Sequence, residues 1–152
     1  MSKYRLALLA LVALFGGAQL IPSERTNPPV SGEIVTPEAV TAILRRCCYD
    51  CHSNETEWPW YAGIAPMSWR VASDVTAGRE RLNFSEWQSL DEPKRRERLK
   101  QIWREVETGR MPIALYGFMH GDSRPAPSEL EELHAWAMGT AQDDLGAPGS
   151  GG

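Results

Sequence analysis

Side chains that bind metal ions through nitrogen or sulfur are scarce in this chain, which has three cysteines and three histidines among 152 residues. The cysteines are clustered at positions 47, 48 and 51, and no second Cys/His pair of suitable spacing follows them. A structural zinc site takes four such ligands, usually supplied as spaced pairs. The composition therefore argues against a zinc-binding domain.

Basic residues are not in excess either. Sixteen Lys and Arg stand against 20 Asp and Glu, which gives a formal net charge of −4. Nucleic-acid-binding domains normally show a basic patch or stripe. We therefore expect no nucleic-acid partner.

Patterns typical of β-strands are absent, whereas apolar residues recur at helical spacing. A thioredoxin-like redox protein needs a βαβ setting, so the lack of strands argues against that class. Amphipathic helices are predicted from Thr36, Met67, Asp91 and Ser128, with Thr36, Asp91 and Ser128 as caps. Gly78 is expected to end the second helix. The pattern favours an all-α fold.

A long apolar run occurs near the N-terminus, where Lys3 and Arg5 precede the apolar residues 6–15. This is the pattern of an export signal. The run is short for a membrane span, which needs about 20 apolar residues. Residues 1–21 are thus predicted to be either a signal peptide or an N-terminal anchor. In the second case, residues 6–21 lie in the inner membrane. Both alternatives predict a periplasmic domain.

Two further segments are distinguished by composition. Residues 22–35 contain paired prolines and a Ser-Gly step, so we predict a linker, and we expect it to lie against the domain. Residues 139–152 are small, polar and rich in glycine, and a disordered tail is predicted there.

Cys48, Cys51 and His52 form a C-x-x-C-H motif, the attachment pattern of a c-type haem. In a helical turn, positions i and i+3 lie on one face, so both thiols can reach the two vinyl groups of one haem. His52 is then placed to ligate the iron. The alternatives are a Cys48–Cys51 disulfide and a wider frame from Cys47, which is expected to be a spare, partly buried thiol.

The residues around this motif resemble the bacterial haem-binding domain family, whose members are small exported proteins similar to c-type cytochromes. The similarity extends from residue 25 to residue 136. The resemblance implies a cytochrome c-like bundle of about four helices around one covalently attached haem, over residues 36–138. The matching segments are CYDCHSNET at 48–56, WPWY at 58–61, IAP at 64–66, LNFSEW at 82–87 and GRMP at 109–112.

Aromatic side chains follow the motif closely, and the chain has six tryptophans. Indole and phenol rings suit both a haem edge and a protein core. We predict haem contacts for Trp58, Trp60, Tyr61 and Trp69, with core packing as the alternative.

The second axial ligand of the iron is predicted to be Met111. It lies between Gly109 and Pro112, in a loop suited to hold a thioether over the iron, and the family resemblance also includes this Met-Pro step. His120 is the alternative sixth ligand, and ligation by two histidines lowers the reduction potential relative to ligation by methionine and histidine. The remaining candidates are Met67, Met119, Met138 and His134.

These ligands predict a single-haem protein that transfers one electron at a time to and from a redox partner that the sequence does not identify. The alternative is a haem enzyme, or a gas or peroxide sensor, with a displaceable sixth ligand and with Arg110, Tyr116 and His120 on the distal side. A third is an accessory haem subunit without turnover. The first hypothesis makes the chain a carrier rather than an enzyme.

Overall fold

A computed structural model describes residues 2–139, which form seven α-helices, two short 3-10 helices and no β-strand. The all-α prediction is confirmed, and the four predicted helices correspond to α2, α4, α5 and α7. The predicted tail lies outside the described residues except for Gly139. The helices are α1 (Lys3–Ala18), α2 (Glu38–Cys47), α3 (Tyr49–His52), α4 (Met67–Arg81), α5 (Glu92–Glu107), α6 (Ala114–Met119) and α7 (Pro127–Met138), and the 3-10 helices are Trp60–Gly63 and Phe84–Ser89.

The helix starts agree only partly with the predicted caps. Asp91 caps α5 as predicted, since its carboxylate accepts a hydrogen bond from the Lys94 N–H at 3.0 Å. The prediction that Thr36 caps the first helix is wrong: α2 begins at Glu38, and the Thr36 hydroxyl pairs with Thr41. At α7 the cap position is Ala126 rather than Ser128.

Two segments outside the predicted helices are also helical. Helix α4 continues through Gly78 to Arg81, so the predicted end at Gly78 is wrong. The residues around Tyr116 form the short helix α6. At Gly78 a close contact with Cys51, described below, explains the continuation of the helix.

The core lies where α7 packs against α2 and α5. Apolar residues at helical spacing supply it, and stacking of Tyr49 on Phe84, with centroids 5.3 Å apart, joins it to α3. The core thus reaches into the C-x-x-C-H motif, because Tyr49 lies between its two cysteines. Its buried members are Ile34, Val40, Leu44, Tyr49, Phe84, Trp87, Leu99, Ile102, Leu133, Trp136 and Ala137.

The segment 22–35 lies against the domain, as expected. Its backbone N–H groups at Ser31 and Gly32 donate to the Ser85 carbonyl at 3.1 and 3.0 Å, and that of Ile34 donates to the Phe84 carbonyl at 2.9 Å. The Ile34 side chain is buried in the core. Although the segment has no regular structure, backbone pairing fixes its path.

Arg79 joins this segment to the residues after the motif. Its guanidinium donates to the Ser53 carbonyl at 2.7 Å, to the Thr26 carbonyl at 2.8 Å and to the Asn27 side chain at 3.0 Å. It also donates to the Thr56 hydroxyl at 2.9 Å. One side chain of α4 therefore holds two irregular segments in place.

Helix α1 contributes no buried residue. The chain after it touches the domain through Gln19, whose amide pairs with both the N–H and the carbonyl of Ala65. Among residues 2–139, no helix has both the length and the apolar character needed to span a membrane.

We predict that Arg79→Lys destabilises the protein by about 1 to 3 kcal/mol, because a lysine cannot reproduce four diverging hydrogen bonds from one planar group. Denaturant unfolding would show the loss, and limited proteolysis should cut residues 22–35 sooner. Arg96→Lys is the matched control, since Arg96 is exposed and pairs with Glu92 of its own helix. Equal stability of the two variants would contradict the role given to Arg79.

Candidate functional site

A cavity of about 470 Å³ lies between the motif, α4, α5 and the segment before α6. Its volume is typical of small-molecule and cofactor sites. The four predicted attachment and ligand residues, Cys48, Cys51, His52 and Met111, all line it. Much of the remaining wall is apolar and comes from Leu82, Phe84, Ile102, Val106 and Ile113.

The two motif cysteines share one helical turn. Helix α2 ends at Cys47, and the chain turns at Cys48 into α3, where the N–H groups of Cys51 and His52 both donate to the Cys48 carbonyl. The three cysteines are free thiols in the structure. Burial raises the pKa of Cys51 to about 12 and also raises that of Cys48. Both thiols are therefore protonated at neutral pH.

His52 is oriented by two backbone carbonyls. Its Nδ1–H donates to the carbonyls of Gly78 at 3.0 Å and Leu82 at 3.1 Å, which assigns the proton to Nδ1 and leaves the Nε2 lone pair available. Burial lowers the pKa of His52, so the imidazole is neutral at neutral pH. A neutral imidazole held by its other N–H is the usual arrangement of a metal-binding histidine.

Gly78 allows α3 and α4 to approach closely. A Cβ at this position would overlap the carbonyl oxygen of Cys51, so no other residue fits without a shift of the backbone. This contact explains why a glycine lies inside α4 instead of ending it. It also brings the Gly78 carbonyl within hydrogen-bonding distance of His52.

Met111 is placed by the turn that follows α5. Gly109 has φ of +68°, a left-handed conformation that favours glycine. The Met111 N–H then donates to the Glu105 carbonyl at 3.0 Å, which ties the segment back to α5. The side chain is partly buried and lines the cavity.

The other candidate axial ligands lie elsewhere. Met67, Met119 and His120 line a second, smaller cavity of about 40 Å³. His120 stacks on Tyr116 with centroids 4.2 Å apart. His134 packs against Trp103, and Met138 is about half exposed. Of the six candidates, all within the described residues, Met111 alone lines the larger cavity.

The aromatic residues predicted to contact haem, Trp58, Trp60, Tyr61 and Trp69, do not line the larger cavity. Trp60 is 79% exposed, Tyr61 faces the smaller cavity, and the Trp69 indole donates to the Ile21 carbonyl. Their contact with haem stays a prediction without support from this geometry.

The larger cavity is also lined by Phe84, Arg81 and Arg98, for which no sequence pattern predicted a role at the site. The spacing of Ile102 and Val106 marked an apolar face of α5, but it gave no sign of which part of that face borders a cavity. For the two arginines the sequence carried no signal, since eleven other arginines occur in the chain.

The donor atoms of the cavity suit a metal ion that is already coordinated by a macrocyclic ligand. Within residues 2–139 no group of three or more His, Cys, Asp and Glu side chains is placed to hold a bare metal ion. One imidazole, one thioether and three thiols beside apolar walls instead match a porphyrin-bound iron, which needs only axial ligands from the protein.

We predict that Gly78→Ala destabilises the fold by about 1 to 3 kcal/mol through overpacking. Helix propensity alone predicts that the variant is more stable, because alanine is favoured over glycine by about 1 kcal/mol in a helix. The backbone overlap with Cys51 decides between them, and thermal unfolding would measure the result. Gly121→Ala is the control, since a Cβ there meets no atom within 4 Å. A Gly78→Ala protein more stable than wild type would refute the close contact.

Comparison with known proteins supports the same cofactor. No curated protein and no solved structure matches the chain. Residues 13–139 match the family model described as a haem-binding domain, which covers most of the chain. The chain therefore belongs to the haem-binding domain family, and haem is its cofactor.

Proposed function

We propose that the chain carries one haem c and serves as a single-electron carrier. Cys48 and Cys51 form the two thioether bonds, His52 is the proximal ligand and Met111 is the sixth ligand, within a cytochrome c-like bundle. The observation that carries the proposal is that these four side chains, separated by up to 63 positions in the sequence, line one cavity.

The cysteines supply the attachment. Each thiol adds its sulfur and its proton across one vinyl C=C bond, so a thioether forms without loss of any atom and without an oxidant. Because Cys48 and Cys51 lie one turn apart, both sulfurs face the same edge of the cofactor. The buried thiols stay protonated until they react, which keeps them from acting as free thiolate nucleophiles.

The axial side chains set the redox behaviour. Haem iron supplies the one-electron chemistry when bound. The Nδ1–H hydrogen bonds to Gly78 and Leu82 raise the basicity of the His52 ligand. The Met111 thioether is a soft ligand that favours the ferrous state and raises the potential relative to a second imidazole.

Three residues that would serve a distal reaction site are already engaged. Arg110 forms a two-point ion pair with Glu105 at 2.8 and 2.9 Å. The Tyr116 hydroxyl donates to Asp50 at 2.7 Å, and His120 lines the smaller cavity. These contacts favour a carrier over an enzyme or a sensor, since bond chemistry needs a free donor or base beside an open iron position.

The proposal includes export. Lys3 and Arg5 lie in the first turn of α1, which has no buried residue, and with the apolar run that follows them they fit a secretion signal or an inner-membrane anchor. A c-type haem is attached on the outer side of the bacterial inner membrane. We therefore place the domain in the periplasm, where it would exchange electrons with a partner protein.

Covalent attachment is tested on the denatured protein. We expect acid acetone to leave the haem on the polypeptide, with a pyridine haemochrome spectrum of two thioethers. Cys48→Ala should retain at most one thioether, whereas Cys47→Ala, which changes the neighbouring cavity thiol, should retain two. Extraction of all haem by acid acetone would refute covalent attachment while leaving haem binding intact.

The sixth ligand is tested by spectroscopy. If Met111 binds the iron, the oxidised protein has the weak red sulfur-to-iron charge-transfer band of Met/His haem, and Met111→Ala loses it. The same variant should have a lower potential and bind carbon monoxide. His120→Ala and Met119→Ala are the controls, and both should keep the band. Carbon monoxide binding by the wild type would instead favour the sensor or enzyme hypothesis.

A further inference from the structure

The walls of the larger cavity carry four side chains that are charged at neutral pH. They are Asp74 and Arg81 of α4 and Arg98 and Glu105 of α5. The other titratable residues of the lining, Cys47, Cys48, Cys51, His52 and Tyr116, are neutral there. The pattern of pairing among the four charged groups is uneven.

Both carboxylates already have a guanidinium partner that lies outside the cavity lining. Asp74 accepts from Arg70 at 2.8 Å. Glu105 accepts from Arg110 at 2.8 and 2.9 Å, and this ion pair holds the pKa of Glu105 below its ordinary value. The negative charges of the wall are therefore neutralised within the protein.

Neither arginine of the lining has a carboxylate partner among residues 2–139. Arg98 donates to the neutral amide oxygen of Gln101 at 2.7 Å, and Gln101 also lines the cavity. Arg81 forms no direct ion pair with any described carboxylate; its charge adds to those of Arg110 and Arg104 in lowering the pKa of Glu105. Most arginines that carry a defined contact elsewhere, such as Arg45, Arg46 and Arg96, do pair with a glutamate.

A cavity with two unpaired cations is suited to a ligand with two anionic groups. Haem is such a ligand: its only charged substituents are its two propionates, and they lie on the opposite side of the ring from the vinyl groups. Guanidinium and carboxylate form charge-assisted, often two-point hydrogen bonds. Such a pair is favourable where the surrounding wall is apolar and only partly hydrated.

We propose that Arg81 and Arg98 bind the two haem propionates, with Gln101 orienting the Arg98 guanidinium. This inference rests on the proposed attachment at Cys48 and Cys51, which fixes the vinyl edge. The assignment sets the second edge of the ring: the propionates face α5 and the C-terminal turn of α4.

The two cations also tune the iron. A positive charge near the propionates opposes the extra charge of the ferric state, so it raises the reduction potential. It also keeps the propionates ionised, because a nearby cation lowers the pKa of a carboxyl group by about one to three units. The potential of the wild type is therefore expected to change little with pH across the neutral range.

The test uses the haem-loaded protein with Arg98→Gln, Arg81→Gln and Arg98→Lys. Redox titration at several pH values should give a lower potential for both glutamine variants. A propionate pKa higher by about one unit or more should appear as a new pH dependence. Arg98→Lys keeps the charge and should restore most of the potential. Arg81 is exposed, so Arg81→Gln is expected to fold normally and keeps the test decisive.

Arg96→Gln is the matched control, because Arg96 lies on α5, is exposed and does not line the cavity. If the glutamine variants at 81 and 98 have the potential and pH profile of this control, the propionate assignment is overturned. The pyridine haemochrome of the same samples tells the two proposals apart. If the haem has two thioethers but the potentials are unchanged, only the assignment of Arg81 and Arg98 to the propionates is refuted. If the haem can be extracted, the covalent attachment on which the inference rests is refuted.

Discussion

The close contact between α3 and α4 at Gly78 is the constraint on which the site depends. Without a Cβ at this position, the Cys51 carbonyl rests against the α4 backbone. The same approach lets the Gly78 carbonyl accept the Nδ1–H of His52. The absence of a Cβ at Gly78 thus sets the distance between α3 and α4 and the orientation of His52, the proposed proximal ligand.

Buried polar groups secure the residues just after the motif. The Ser53 hydroxyl donates to the Tyr49 carbonyl at 2.8 Å and accepts from the Glu55 N–H at 2.9 Å. The Asn54 N–H donates to the Ser85 hydroxyl, and Asn83 donates to the Asn54 side chain. Because each buried polar group has a partner, the segment is held without regular structure. The cost of losing one partner is correspondingly high.

Charge is arranged differently at the cavity than elsewhere on the protein. Pairs such as Arg46–Glu129, at 2.6 Å between α2 and α7, join helices and are internally neutral. Within residues 2–139 the lining arginines form no such ion pair, whereas the lining carboxylates do. This asymmetry gives an otherwise apolar cavity a positive wall, which suits an apolar cofactor with two carboxylates.

The sequence by itself determined the all-α class, the cap at Asp91, the attachment motif and the family resemblance, since local spacing and residue chemistry carry these. It misplaced the end of α4 because a glycine signals a helix end and a close contact equally well, and only the packing partner distinguishes them. The tertiary structure decided which of six sulfur and imidazole candidates borders the cavity with His52. It also separated Trp58, Trp60, Tyr61 and Trp69 from that cavity and placed Arg81 and Arg98 there. The physical reason is that a cavity is formed by residues distant in sequence, so no local pattern records which side chains line it.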